Sequence, residues 1–494
     1  MTENTDNGEA ATYQVVIIGT GFGGQAAAIN LKKRGYSDFI MLERRAFAGG
    51  TWLQNRYPGA AVDVQSPLYS LSAMPYKWSQ MFVTQPELAQ YTQQVFNTFN
   101  LTPHVRLEHE VVNSQWDEAR QQWRINIIGS DPIYAKYIIN ATGPLSMPVI
   151  PDFAGKDSFK GVSFHTNNWP DDLDLNDKRV AIIGSGASAA QVLPAIVDTV
   201  KSLAVFQRSP HWIIPRPDFA FPTWMQKLLG VKWFYNVLRS AIYWGLETRV
   251  IGFKYSLTIL NLFAGGPAKR QLNKQVSDPV LRKALTPDFT IGCKRIILSN
   301  TYYPAICREK VSLFDKNNGI KSITENGIIS ANGTELDLDI IIYSTGYDAT
   351  DGLISYPVIG KNNTTLASVW TDFPRAYLGT SVPNFPNYFI VTGPNTGIGH
   401  TSAIFVIEAQ MHYIMQAIET VETEQKQTIE PSVQAESTYT DMVHNEMERT
   451  VWQTGGCNSW YKSESGKVIA MFPGFSFVFK RMCQRFKRQD HIIK

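Results

Sequence analysis

Two glycine-rich stretches, each directly after a run of apolar residues, have the clearest chemical meaning in this sequence. The first is Gly19-Thr20-Gly21-Phe22-Gly23-Gly24, and the second is Gly184-Ser185-Gly186-Ala187-Ser188-Ala189. A strand followed by a glycine loop and a helix is typical of units that bind the pyrophosphate of a dinucleotide, because the unpaired N–H groups at the helix N-terminus attract anions. The sequence therefore predicts two dinucleotide sites in one chain.

The first loop lies between segments that predict a complete βαβ unit. Residues Tyr13–Gly19 form a β-branched run that predicts a buried strand, and a helix-forming run ends at Gly35. Asp38–Glu43 predicts a second strand that ends in an acidic residue. The parts occur in the order that a dinucleotide-binding unit requires.

Individual positions in this unit predict the kind of nucleotide. We expect Gly19 to allow the tight turn, Gly21 to let the backbone approach the pyrophosphate, and Gly24 to let helix and strand pack closely. Glu43 lies 19 residues after Gly24 and can accept a hydrogen bond from a ribose hydroxyl. Because a carboxylate there would repel a 2′-phosphate, the first site suits FAD or NAD and not NADP.

The second unit carries the opposite charge at the matching position. Arg208 lies 24 residues after Gly184, the same offset that separates Glu43 from Gly19, and Ser209 follows it. A guanidinium can hold a 2′-phosphate through forked, charge-assisted hydrogen bonds. The sequence thus predicts FAD in the first site and NADPH in the second. A solvated surface arginine at position 208 is the alternative.

Composition and charge narrow the class of protein. The 494 residues are 44% hydrophobic and 18% charged, with a net charge of +3, which indicates an ordinary globular protein and no nucleic-acid partner. The N-terminus lacks a secretory signal. No CxxC pair occurs, so we expect free thiols, no metal site and a cytoplasmic location. The cysteines are Cys293, Cys307, Cys457 and Cys483.

The segment between the two loops, FKGVSFHTNNWP, resembles the F-x-G-x-x-x-H-x-x-x-W-P motif of the Baeyer–Villiger monooxygenases. These flavin enzymes insert one oxygen atom from O2 next to a ketone carbonyl. The resemblance implies that His165 couples domain position to NADP binding and does not act as a base. A purely structural histidine is the alternative. The residues that match the motif are Phe159, Gly161, His165, Trp169 and Pro170.

A second resemblance concerns residues 49–63, GGTWLQNRYPGAAVD, which are similar to the family segment that wraps the isoalloxazine ring. It implies that Thr51 and Trp52 contact FAD and that Asp63 lies on the reactive side of the flavin. Tyr69 and Val111 also fall at family positions that contact FAD. Without the family, core packing would explain the aromatic residues and a turn would explain Asp63.

A third resemblance concerns Gly292-Cys293-Lys294-Arg295. It implies that Lys294 helps to hold the 2′-phosphate and that Arg295 reaches the flavin, with Asp63 orienting it. In this family the reduced flavin and O2 form a C4a-peroxide. Because arginine keeps its proton at working pH, Arg295 could stabilise that anion without protonating it. Trp460 lies in a segment similar to one near NADP and substrate.

The resemblance also implies the fold, an α/β protein with two Rossmann-like dinucleotide-binding domains, for FAD and NADPH, and an inserted helical lobe. We expect the FAD-binding domain to span 1–147 and 346–494, the NADPH-binding domain 148–213 and 291–345, and the lobe 214–290. Charged residues interrupt the lobe throughout, so we expect no membrane span. Contact with a membrane surface is the less favoured interpretation.

The predicted function is NADPH- and O2-dependent oxidation of a small-molecule ketone to an ester or lactone by an FAD monooxygenase, with sulfoxidation of a thioether also expected. An N- or S-oxidising flavin monooxygenase is one alternative. The alternative of another class is a flavin oxidoreductase without oxygen insertion, such as a disulfide reductase. That class would need a redox cysteine pair near the flavin, which the sequence does not indicate.

Overall fold

The computed structural model describes residues 10–349, 353–463 and 465–494. The strands are β1 (Thr12–Ile18), β2 (Phe39–Leu42), β3 (Val105–Arg106), β4 (Val111–Asp117), β5 (Gln122–Ile127), β6 (Ser130–Asn140), β7 (Val162–His165), β8 (Arg179–Ile183), β9 (Ser202–Phe206), β10 (Ile213–Ile214), β11 (Ile297–Leu298), β12 (Val311–Phe314), β13 (Ile320–Thr324), β14 (Gly327–Ser330), β15 (Glu335–Asp337), β16 (Ile340–Tyr343), β17 (Val358–Ile359), β18 (Tyr388–Ile390), β19 (Ile429–Pro431) and β20 (His491–Ile493).

Helices follow the strands of both units and fill the lobe. They are α1 (Phe22–Lys33), α2 (Thr51–Gln54), α3 (Gln85–Thr98), α4 (Ala187–Ile196), α5 (Thr223–Leu229), α6 (Lys232–Glu247), α7 (Leu257–Leu260), α8 (Gly266–Gln275), α9 (Pro279–Ala284), α10 (Tyr302–Ile306), α11 (Leu366–Val369), α12 (Ala403–Thr423), α13 (Val433–Met447), α14 (Val451–Thr454) and α15 (Ser476–Gln484). Two π-helical turns, Ile251–Tyr255 and Asn261–Gly265, flank α7.

The larger sheet contains the first dinucleotide unit. Its strand order is β17-β4-β5-β6-β1-β2-β3, and β18 also pairs with β6. The strand β1 runs parallel to β2 and β6, with Ile17 opposite Met41 and Ile139. Val15, Val16 and Ile17 have no exposed surface, as expected for a parallel strand covered on both faces. The β-branched run at the start of the chain is therefore a central strand, as predicted.

The smaller sheet contains the second dinucleotide unit, and all of its strands are parallel. Its order is β12-β9-β8-β16-β7. At the edge, His165 of β7 lies opposite Tyr343 of β16. Each sheet draws strands from two separated parts of the chain, which supports the predicted domain boundaries. The boundaries themselves stay a prediction.

The lobe between β10 and β11 is helical over α5 to α9, as predicted. Its amphipathic helix α6 buries Tyr235 and Tyr243 against the rest of the molecule and leaves Trp233 and Trp244 exposed. Within the described part of the chain, no helix is both long and apolar enough to cross a membrane.

Candidate active site

One cavity lies at the carboxyl ends of β1, β2 and β6, around the first glycine loop. In α/β sheets this edge is where nucleotides bind. Nearly all residues predicted to contact FAD line this cavity, although they come from distant parts of the chain. They are Gly19, Gly21, Phe22, Glu43, Thr51, Trp52, Tyr69, Val111 and Arg295. Trp460, predicted to lie near NADP and substrate, lines the same cavity. Their individual roles toward the cofactor stay predictions.

The loop geometry fits a dinucleotide pyrophosphate. Gly19 has a φ of +101°, and a Cβ there would lie 2.5 Å from the carbonyl oxygen of Ala141. A Cβ on Gly24 would lie 2.0 Å from the oxygen of Gly19, so Gly24 packs behind the loop and does not line the cavity. Gly21 caps α1 without a side-chain hydrogen bond. The N–H groups of the first turn therefore remain available to a phosphate.

Glu43 is buried at the end of β2 with 4% of its surface exposed. Its Oε2 accepts hydrogen bonds from the backbone N (3.3 Å) and Oγ1 (2.5 Å) of Thr20, and its Oε1 accepts one from the N of Arg45 (3.1 Å). These bonds fix the carboxylate against the glycine loop. A carboxylate has about four acceptor positions, so it can still bind a ribose hydroxyl.

An aromatic wall closes the other side of this cavity. The Nε1 of Trp52 donates to the hydroxyl of Tyr69 (3.1 Å), and the rings of Trp52 and Phe22 meet that of Tyr69 edge to face. Burial raises the pKa of Tyr69 to about 12. Its hydroxyl therefore stays protonated and neutral, so these aromatic side chains present no charge to a flat ring bound in the cavity.

Asp63 and Arg295 form an ion pair where this cavity meets a second one. The Nε and Nη2 of Arg295 both lie 2.6 Å from Oδ2 of Asp63, across 232 residues of sequence. The side chain of Arg295 is 47% exposed, and it lines both cavities. The neighbouring Asp63 raises the pKa of Arg295, so the guanidinium stays charged. The contact expected from the sequence is present, and its catalytic role stays a prediction.

The second cavity has a volume of about 610 Å³ and is lined by the lobe, by the segment around Asp63 and by residues 398–401. It shares Arg295, Ile398 and Tyr461 with the first cavity. Burial raises the pKa of Tyr461 to about 12, so this phenol is also neutral. A small apolar molecule in the second cavity would thus contact the same arginine as a ring in the first.

The second glycine loop shows the same construction with a different polar neighbourhood. Gly184 has a φ of +120°, and Gly186 caps α4 without a side-chain hydrogen bond. In the first turn of α4, Ser188 is half-buried and Ala189 is buried. The Oγ of Ser185 donates to the carbonyl oxygen of Ser209 (2.8 Å), which joins the loop to the segment that follows β9.

Two cations and a hydroxyl meet at the end of β9. The Nζ of Lys294 donates to Oγ of Ser209 (2.9 Å), and Arg208 is exposed beside them. Burial and then the neighbouring Arg208 lower the pKa of Lys294. Since the two like charges oppose each other, an anion between them would relieve the repulsion. This cluster fits a 2′-phosphate, which is the role predicted for all three residues.

The motif between the loops connects the two units. Gly161 accepts no side chain, because a Cβ would lie 2.5 Å from the carbonyl oxygen of Asp339 and from the ring of Phe159. Trp169, which precedes Pro170, packs edge to face on Phe164 with ring centroids 5.0 Å apart. The motif thus packs into the smaller sheet's core.

His165 lies buried at the centre of this motif. Its Nδ1 accepts a hydrogen bond from the N of Asn167 (3.1 Å), and its ring meets that of Tyr347 edge to face. Burial lowers the pKa of His165 to about 4, so the ring is neutral at working pH. His165 is not among the described residues that line the two cavities, although its partner Asn167 lines the first. This placement behind the wall supports a coupling or structural role and not a role as a base.

Tyr347 makes hydrogen bonds that the sequence did not indicate. Its hydroxyl donates to Oδ1 of Asn55 (3.1 Å) and accepts from Nδ2 of Asn167 (3.2 Å), while the carbonyl oxygen of Asn167 accepts from Gln54 (2.5 Å). The family that the sequence resembles usually has phenylalanine at this position, which has no hydroxyl. The extra hydroxyl links the flavin-side segment at α2 to the interdomain motif.

The expectation of four free thiols is wrong for two of the cysteines. Cys293 and Cys457 form a disulfide with an Sγ–Sγ distance of 1.97 Å, whereas Cys307 and Cys483 are free. The loop before Lys294 and the turn after α14 come together because Gly455 leaves room, since a Cβ there would lie 2.6 Å from Cβ of Cys293. Both disulfide cysteines are buried, and neither is among the described residues that line the two cavities. The pair therefore does not supply the flavin-facing dithiol that a disulfide reductase needs.

Comparison with known proteins decides the family. The pyridine nucleotide-disulphide oxidoreductase family profile matches residues 16–229. A Baeyer-Villiger monooxygenase of Pseudomonas aeruginosa is 38% identical over 477 residues, which cover 96% of this chain and 90% of that protein. The chain belongs to the Baeyer–Villiger monooxygenase family. Another Baeyer-Villiger monooxygenase, of Streptomyces coelicolor, is 39% identical and covers 97% of this chain and 92% of its own length.

A solved structure extends this result to the fold. The crystal structure of OTEMO in complex with FAD and NADP superposes with a TM-score of 0.88 at 26% identity, and the match covers 98% of this chain and all of that one. The predicted Baeyer–Villiger family and the α/β fold with two Rossmann-like domains are confirmed. The predicted class of enzyme, a monooxygenase, is confirmed with them.

Proposed function

We propose that this Baeyer–Villiger monooxygenase oxidises small cyclic or linear ketones to lactones or esters, and thioethers to sulfoxides, with Arg295 and Asp63 as its catalytic pair. One atom of O2 enters the bond beside the carbonyl carbon, the other leaves as water, and NADPH supplies the two electrons. The observation that carries the proposal is the Asp63–Arg295 ion pair at the junction of the two cavities.

The two nucleotide sites fit the cofactors that this reaction uses. The first, with its buried Glu43, suits FAD, and the second, with Arg208, Ser209 and Lys294, suits NADPH. The same two cofactors are bound in the OTEMO structure. When bound, NADPH supplies hydride and FAD activates O2 for transfer of one oxygen atom.

Arg295 supplies a fixed positive charge. It uses Nε and Nη2 for Asp63, and its Nη1 makes no hydrogen bond to any described residue. That donor is free to stabilise negative charge that develops on the transferred oxygen. Because Asp63 raises the pKa of Arg295, the guanidinium does not give up a proton and quench the reacting anion. Asp63 also sets the plane of the guanidinium.

Lys294 links the second nucleotide site to this pair. It is the direct neighbour of Arg295 in sequence, and its ammonium group is held by Ser209. A 2′-phosphate bound there would fix the loop that presents Arg295 to the cavities. The proposal does not extend to a cytoplasmic location, because that expectation rested on free thiols and Cys293 and Cys457 form a disulfide.

Isotope labelling tests the proposal directly. The flavin-loaded protein is supplied with NADPH, ¹⁸O₂ and cyclohexanone or a methyl aryl thioether, and the products are measured by mass spectrometry. We expect one labelled oxygen in the lactone ring or the sulfoxide and one in water. Reactions without NADPH, and reactions with added hydrogen peroxide in its place, exclude uncatalysed oxidation. If all label appeared as hydrogen peroxide with every ketone and thioether, the proposal would be wrong.

A further inference from the structure

The second cavity contains a positive charge that the proposed reaction does not use. Arg249 follows the C-terminus of α6 and lines this cavity. Its guanidinium makes no hydrogen bond or ion pair with any of the residues described in the structure. Arg295, in the same cavity, is neutralised by Asp63. The cavity therefore has one compensated and one uncompensated guanidinium.

The nearest acidic residue in sequence is already occupied. The Oε2 of Glu247 accepts hydrogen bonds from Oγ of Ser476 (2.6 Å) and from Nε2 of His400 (3.1 Å). Its Oε1 accepts from the N of Phe477 (3.4 Å). The carboxylate is thus directed toward α15 and not toward Arg249.

The surroundings of Arg249 are apolar. The cavity wall near it consists mainly of hydrophobic side chains, and burial alone lowers the pKa of Arg249, with no opposing contribution from a carboxylate. A charge removed from water without a partner is costly, and a ligand that brings the opposite charge recovers much of that cost. The hydrophobic residues include Leu246, Ile251, Phe253, Phe263, Leu298 and Ile398.

Two more polar groups in the same wall lack partners. Nδ1 of His400 and Oγ1 of Thr401 make no hydrogen bond within the described structure, and each of these residues has 5% of its surface exposed. Both residues line the second cavity. A ligand with acceptor oxygens would offer a partner to Oγ1 of Thr401. Nδ1 of His400 accepts in the neutral ring whose Nε2 donates to Glu247, so it would not pair with such an oxygen. A ketone without another polar group has only its carbonyl oxygen as an acceptor, and the proposed reaction directs that oxygen toward Arg295.

We propose that the second cavity selects substrates that carry a carboxylate, with Arg249 as the specificity-determining residue that binds it. A guanidinium pairs with a carboxylate through two parallel hydrogen bonds. The cavity volume of about 610 Å³ is sufficient for a cyclic keto acid. This inference rests on the proposed function, because the ketone must lie toward Arg295 while the carboxylate meets Arg249.

A matched pair of substrates tests this inference. Flavin-loaded enzyme with NADPH is given 3-(2-oxocyclohexyl)propanoate or its methyl ester, and kcat/KM is measured for lactone formation. We expect the wild-type enzyme to prefer the acid by about 10- to 100-fold, the range of a charge-assisted pair. Arg249→Met should remove this preference by lowering the value for the acid, while the ester changes little.

Two further variants sharpen the test. Arg249→Lys retains the charge without the fork and should keep part of the preference. Lys232→Met removes an exposed charge at the other end of α6 and should alter neither substrate. The inference is overturned if the wild type does not prefer the acid, or if Arg249→Met weakens acid and ester equally. The acid preference is measured on the wild-type enzyme, so this part of the test does not depend on whether a variant folds.

Binding without turnover separates this inference from the proposed function. The keto acid and its methyl ester are each titrated into oxidised, NADP⁺-loaded enzyme, and both affinities are measured by calorimetry for wild type and Arg249→Met. A loss of affinity only for the acid supports the carboxylate site even if no lactone forms, in which case the proposed function alone fails. Normal oxidation of the ester and of cyclohexanone, with equal acid affinity in both proteins, would reject the site and leave the proposed function intact.

Discussion

The two glycine loops of this chain share one construction and differ in the charge that follows it. Both loops end a buried parallel strand and leave the first turn of a helix without a side-chain cap. After the second strand, the first unit has the buried carboxylate of Glu43, whereas the second has the exposed Arg208 beside Lys294. We therefore expect the backbone to bind a pyrophosphate in both units and the charge to select the nucleotide.

The loop of the second unit also contributes a residue to the cavity of the first. Arg295 follows Lys294 directly, so the loop that completes the second site also delivers a guanidinium to the cavity of the first. Asp63, from the first unit, holds that guanidinium in place. We therefore expect the two sites to be coupled through the adjacent residues Lys294 and Arg295.

The largest effect is expected from removing the charge that distinguishes the second site. In Arg208→Ala/Lys294→Ala, KM for NADPH should rise by about 100-fold or more, because two charge-assisted hydrogen bonds to the 2′-phosphate are lost. KM for NADH should change little. Initial rates of oxidation of the two nucleotides measure this, with Lys201→Ala, an exposed lysine at the start of the same strand region, as the control.

An equal rise in KM for both nucleotides would contradict this account. It would mean that the two cations stabilise the loop and do not bind the 2′-phosphate. Retention of bound FAD in the double variant would show at the same time that the first site is independent of this change.

The βαβ units could be predicted from the sequence because their signals are local. The strands, glycines and end residues of each unit lie within about 30 residues, the usual length of such a unit. The Asp63–Arg295 pair spans 232 residues, so no spacing rule connects it, and only family resemblance predicted it. The Cys293–Cys457 disulfide spans 164 residues and lay outside any recognised pattern.

A smaller effect is expected where the two units are joined. Burial places the pKa of His165 at about 4 in the folded protein, below its ordinary value of 6.5. As the pH falls through 6.5 the unfolded chain takes up a proton and the folded chain does not. Stability is therefore full above pH 6.5 and declines between pH 6.5 and pH 4. Between pH 7 and pH 5 the free energy of unfolding should fall by about 2 kcal/mol from this residue.

Thermal unfolding of wild type and His165→Gln at these two pH values measures the effect. We expect the stability of the variant to depend less steeply on pH. His211 should account for part of the dependence that remains, because burial also lowers its pKa to about 4. Parallel curves for the two proteins would show that His165 is not the buried neutral group that the structure describes.

The smallest effect is expected at Tyr347. Tyr347→Phe restores the residue usual in the family and removes the hydrogen bonds to Asn55 and Asn167. The loss should be about 1 kcal/mol of stability, because the two amides can rebond to water. Tyr343→Phe on β16 is a matched control, since its hydroxyl has no hydrogen bond to a described residue. A lower melting temperature in the first variant only, measured by calorimetry, would support the link.

Residues such as Tyr347 and Arg249 escaped prediction for one physical reason. The role of each side chain depends on which groups lie next to it in the folded protein, and the sequence does not show these neighbours. In the sequence, Arg249 simply interrupts an apolar run, and its meaning depends on Glu247 being directed to Ser476 and His400.

The most direct test of the account concerns Arg295 and compares the lactone formed with the NADPH consumed. Wild-type enzyme with cyclohexanone should convert most of its NADPH into lactone. In Arg295→Met, flavin should still bind and be reduced, but lactone formation should fall by about 100-fold or more and hydrogen peroxide should replace it. If Arg295→Met formed lactone as efficiently per NADPH as the wild type, the central role given to the Asp63–Arg295 pair would be contradicted.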